Sequence, residues 1–61
     1  MLNLTDAIID YENGDLSADE IVQLFSQLIK TGMVWHLQGS YGRMAQHLIR
    51  NGVLDANGDI L

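Results

Sequence analysis

His36 and His47 are the imidazoles of this 61-residue sequence, the side-chain type most often used as a general base. A nucleophile for them to activate is missing. There is no cysteine, and the hydroxyls of Ser17 and Ser40 are better read as helix caps, so the sequence argues against an enzyme. Metal chemistry meets a similar obstacle. Asp55-Ala56-Asn57-Gly58-Asp59 offers oxygen ligands at the first, third and fifth positions of a calcium loop. The sixth position, which must turn sharply, is Ile60 rather than glycine, and the sequence ends before the bidentate glutamate of such a loop. The two histidines lack a third ligand at zinc-like spacing. No metal and no cofactor are expected.

Binding is the better prospect, and three groups of residues bear on it. Gly39-Ser40-Tyr41-Gly42 matches the G-x-x-G string that clamps a nucleic-acid backbone in KH domains, though the strands of that fold are not legible around it. The plainer reading gives Gly39 a turn and lets Gly42 admit a close neighbour, with Trp35 the expected one. Arg43, His47 and Arg50 follow at i, i+4 and i+7 and so share one helix face. That face would meet phosphates if the helix read DNA, or would balance Asp6, Asp10 or Glu12 within the molecule. Two arginines on a chain of net charge −5 neutralise few phosphates, which favours the second reading. Trp35, His36 and Tyr41 complete the set of candidate partner contacts, since tryptophan, tyrosine and arginine dominate interface hot spots, although in a domain with four aromatics Trp35 and Tyr41 are more often core. Against them stands an acidic face of Asp10, Glu12, Asp15, Asp19 and Glu20, either a solvated surface or a dock for a basic partner.

The elements that must position these residues are three helices. Ser17-Ala18-Asp19-Glu20 is a capping box, and Ile21, Leu24, Phe25, Leu28 and Ile29 then form one apolar stripe that stops at Gly32. This predicts a helix over 17–31. Tyr41, Met44, Ala45, Leu48 and Ile49 repeat the stripe behind Ser40 as N-cap and ahead of Asn51-Gly52, predicting a helix over 40–51. A shorter helix over 4–13 starts from Thr5 as N-cap, with Ala7, Ile8 and Tyr11 as its apolar side and Asn13-Gly14 at its end. The apolar connection 33–39 is expected as a helical turn or a short extended piece on the core. Over 53–61 an Asn-Gly step between apolar pairs gives either a short β-hairpin or an extended, frayed tail. The fold class is therefore all-α, a compact single three-helix domain.

Charge is unevenly spread along this frame. Residues 1–20 carry six acids and no base, 21–54 carry Lys30, Arg43 and Arg50 and no acid, and Asp55 and Asp59 make the tail acidic again. A chain this short buries only about 60% of its unfolded surface, so small scaffolds lean on disulfides, metals or partner subunits. Without cysteine, a homodimer or larger assembly is the staple that is left. Neither a signal-like start nor an apolar run of membrane-spanning length is present, so a cytoplasmic protein without a membrane partner is expected.

Leu4-Thr5-Asp6-Ala7-Ile8-Ile9, Leu24-Phe25-Ser26-Gln27-Leu28 and Leu37-Gln38-Gly39-Ser40-Tyr41-Gly42-Arg43 resemble a family of very short proteins of tailed bacteriophages. The resemblance covers most of residues 2–54, and its most distinctive string is Leu-Gln-Gly-Ser-Tyr-Gly-Arg. It implies a context without a mechanism: small acidic phage proteins as a class resemble inhibitors that bind host enzymes or defence complexes. The expectation is a non-enzymatic protein that binds and modulates a host or phage protein. A nucleic-acid regulator acting through the third helix is the alternative.

Overall fold

A computed structural model describes residues 3–61 as three α-helices joined by short connections. They are α1 (Leu4–Glu12), α2 (Ala18–Thr31) and α3 (Gly39–Arg50), with a 3-10 turn, Met33–His36, between α2 and α3. The connection after α2 is thus a helical turn. α2 is the central element and packs against α1, α3 and the 3-10 turn.

Helix α2 starts where the capping box puts it. The Ser17 amide donates to Glu20 Oε1 at 2.9 Å and the Glu20 amide donates to Ser17 Oγ at 3.2 Å, which satisfies two amides with no partner inside the helix. The Ser17 amide, and to a smaller extent the Ser17 hydroxyl, favour the Glu20 carboxylate and hold its pKa below the ordinary value. The other two starts differ from expectation. α1 is capped by Asn3, whose side chain accepts from the Asp6 amide at 3.2 Å, so Thr5 lies inside the helix. α3 begins at Gly39 with Gln38 as N-cap and no capping side chain, so Ser40 is a helical residue and not the cap. The reason lies just upstream: Leu37 is extended and packs on the core, which fixes the chain's entry before Ser40 can choose it. At the ends, Gly14, Gly32 and Gly52 all have φ near +75° and stop the three helices as left-handed residues.

The core follows the apolar stripes. Leu24, Phe25 and Leu28 of α2 are fully buried, joined by Ala7 from α1, Val34 from the 3-10 turn, and Tyr41, Ala45 and Leu48 from α3. Tyr11, Phe25 and Tyr41 form an aromatic cluster, with the Tyr11 and Phe25 rings edge to face at 5.4 Å and 81°.

Residues 53–61 are neither frayed nor a two-stranded hairpin. A single antiparallel bridge joins Leu54 to Ile60, and the Asp55 carboxylate closes the loop by accepting from the Asn57 and Asp59 amides, both at 2.9 Å. This loop docks on α2. Leu54 is fully buried, the Ser26 hydroxyl donates to the Gly58 carbonyl at 2.5 Å, and Lys30 pairs with Asp59 at 3.5 Å. Gly58 has φ +90°, and a Cβ there would stand 2.7 Å from the Ser26 carbonyl oxygen, so only glycine fits. Among the described residues no helix is long and apolar enough to cross a membrane.

Candidate functional site

The inner side of α3 is committed to the core, and its outer side is what the fold leaves open. Tyr41 belongs to the inner side. It is 4% exposed, which removes it from the expected set of partner contacts. Its hydroxyl donates to Glu12 Oε1 at 2.7 Å, tying α3 to α1. Burial and this carboxylate together push the Tyr41 pKa up to about 12, because both disfavour the phenolate.

Arg43, His47 and Arg50 lie on the outer side with Gln46 and line a shallow depression of 340 Å³. A second depression of 270 Å³ includes Trp35, Leu37, Gly39 and Gly42 and shares Arg43 and Gln46 with the first. The two are therefore one surface, apolar at the Trp35 end and cationic toward Arg50. The balancing of Arg43 or Arg50 by Asp6, Asp10 or Glu12 is not found. Among the described residues the ion pair is Lys30 with Asp59, and neither arginine has one. The cause is angular: Tyr41 faces α1 and takes Glu12, and Arg43, two residues later, points roughly 200° away at 100° per residue.

Trp35 is 53% exposed, although it is the largest apolar side chain of a small domain. Its six-membered ring lies beside Gly42, where an added Cβ would meet ring carbons at 3.7 and 3.8 Å. The sequence expectation of a Trp35–Gly42 neighbourhood is what the geometry has, but the contact is loose enough for alanine. Gly39 behaves alike: a Cβ there would meet Arg43 Nη1 at 3.4 Å, the mobile end of a side chain. His36 is exposed at the end of the 3-10 turn. Gln46, which lines both depressions, was not legible as a surface contact, because it also fits a solvated helix pattern.

The acidic face divides once the contacts are known. Glu12 is engaged by Tyr41 and Glu20 by Ser17, and Asp19 sits in the first turn of α2, where the helix dipole favours an anion. Asp10 and Asp15 are exposed, with no ion-pair partner among the described residues. Among the described residues no three His, Cys, Asp or Glu side chains come together as a metal site. In the calcium-like segment the Asp55 carboxylate is already occupied by backbone amides.

A family model described as a domain of unknown function (DUF7417) matches residues 1–61. No curated protein and no solved structure matches the chain.

Proposed function

The chain belongs to the DUF7417 family, a domain of unknown function, and we propose that it is a non-enzymatic interaction protein that binds and modulates another protein through the Trp35–α3 face. One observation carries this reading: a half-exposed tryptophan lines one depression with an arginine that has no ion-pair partner among the described residues, in a domain whose Phe25 and Tyr41 are buried. Burying a large apolar side chain is worth roughly 1.5–3 kcal/mol, and a small domain has little stability to forgo. An exposed indole next to a guanidinium is the usual make-up of an interface hot spot. Given the resemblance to short bacteriophage proteins, the partner is a host or phage protein in the host cytoplasm. The test is capture of the partner from host lysate by the immobilised chain. Trp35→Ala is expected to abolish capture with its circular dichroism unchanged; retained capture would reject the reading.

A second reading rests on the cationic outer face of α3, which resembles a helix that meets duplex DNA. Electrophoretic mobility of a duplex at low salt decides it. A shift that weakens steeply with salt and disappears in Arg43→Ala/Arg50→Ala supports a nucleic-acid regulator, and no shift excludes one. Self-association is a separate proposal from the undersized core, and sedimentation over a range of concentrations measures it.

A further inference from the structure

Gly39 and Gly42 stand at helical positions where the fold has no need of glycine. Neither has a positive φ, and neither would force a backbone clash with a Cβ. Glycine inside a helix costs about 1 kcal/mol against alanine, so Gly42 weakens α3 without a folding reason. Beside the pair stand two side chains that are open to solvent. The Trp35 ring occupies the space beside Gly42, and the Arg43 guanidinium occupies the space beside Gly39. The indole and the guanidinium therefore line one depression against the first turns of α3.

Each group selects a chemistry. The exposed half of Trp35 suits an apolar or aromatic side chain, and the planar guanidinium suits a carboxylate held through two hydrogen bonds. Arg50 stands two turns further along the same face, about 10 Å at 1.5 Å per residue. No acid occurs in residues 21–54 to compete. We infer that this face binds an acidic segment of the partner protein, with an apolar side chain on Trp35, one carboxylate on Arg43 and a second on Arg50. In a polyproline II segment, with three residues per turn and about 3.1 Å per residue, two acids three positions apart share one side and lie about 9 Å from each other.

The dimensions favour a short segment over a second copy of this chain. Ten residues line the two depressions, whereas a stable interface takes roughly 20–30 residues and about 800 Å² from each partner, a fifth of the 4019 Å² surface here. The inference rests on the reading of this face as a protein interface and specifies the partner's chemistry.

The probe is a blocked peptide with one leucine and two glutamates three positions apart, titrated into the full chain at low ionic strength. Trp35, the single tryptophan, is the fluorescent reporter. A saturable change in its emission is expected, weakened about tenfold or more when the glutamates become glutamines, and likewise in Arg43→Gln. Gly42→Leu, which pushes the indole off α3, is expected to abolish the emission change. Should that variant unfold, Arg43→Gln, at an exposed residue without an ion pair, carries the test alone. Equal binding of the glutamine peptide, absence of any emission change, or tighter binding of a duplex oligonucleotide overturns the inference. So does self-association of the free chain that Arg43→Gln removes, since the face would then belong to a second copy. If the peptide fails while Trp35→Ala still abolishes partner capture, the interface reading stands and the acidic segment alone is rejected.

Discussion

Residues 53–61 and the Trp35–α3 face use glycine in opposite ways. Gly58 is buried against α2, its carbonyl held by Ser26, in a place that no side chain can enter. Gly39 and Gly42 sit where alanine would fit, and the groups they make room for face solvent. In the tail the side chains find partners within the chain: Asp55 takes two amides, Lys30 takes Asp59, Leu54 is buried. On the face, Arg43 and Arg50 have no ion pair among the described residues, and Trp35 is half exposed. A segment built to complete the fold satisfies its own groups, whereas a segment built to meet something else leaves them open.

The largest effect that sharpens this contrast is expected at Gly58. Gly58→Ala combines a left-handed backbone with a backbone clash, and a loss of about 3 kcal/mol is expected in denaturant unfolding. For a domain of this length the total is only about 3–9 kcal/mol, so the tail should undock or the fold should be lost. Ser26→Ala comes next. It strands the buried Gly58 carbonyl, and a loss of about 1–2 kcal/mol is expected from the same measurement. Trp35→Ala should change stability by under about 1 kcal/mol, a small loss for so large a side chain, because half of it is already in water. A loss as large as that of a core aromatic would break the contrast.

The closed inner side of α3 has a signature of its own in alkali. Tyr41 has its pKa raised from 10.0 to about 12 in the folded chain, so its contribution is fully present below pH 10. Stability should fall as pH rises from 10 to 12, read from thermal melts. Tyr41→Phe should lack that part of the decline, and an unchanged decline would contradict the Tyr41–Glu12 link. Acid offers a smaller counterpart. The lowered Glu20 pKa stabilises the chain above the unfolded value of 4.5, and that contribution is lost as pH falls through the folded value. Glu20→Gln should remove it, whereas Ser17→Ala keeps the amide that is the main donor and instead loses the helix cap, about 1 kcal/mol in unfolding.

Local rules carried most of the fold. The Ser17–Glu20 box, the apolar stripe of α2 and the three glycine stops are short-range features, and each lies where its pattern put it. The misplaced starts at Asn3 and Gln38 show how a neighbouring contact overrides a good cap residue a few positions away. Tyr41 stood in the apolar stripe from the outset, so its burial was legible, whereas its hydroxyl bond to Glu12, 29 residues away, was not. The docking of the tail depends on Ser26 meeting Gly58 across 32 residues, which no window of sequence contains. For the face, the Arg43/His47/Arg50 spacing was plain, but Trp35 as a residue type fits core and surface equally well. Its exposure followed only from how the 3-10 turn lies on α3.

The two uses of glycine are compared most directly by equilibrium unfolding of Gly42→Ala beside Gly58→Ala. The account predicts opposite signs: a gain of about 0.5–1 kcal/mol at 42, where alanine strengthens α3 and meets the indole at ordinary contact, and a loss of about 3 kcal/mol at 58. A loss at both positions would mean that Gly42 serves the fold as Gly58 does, and would contradict a face kept open for a partner.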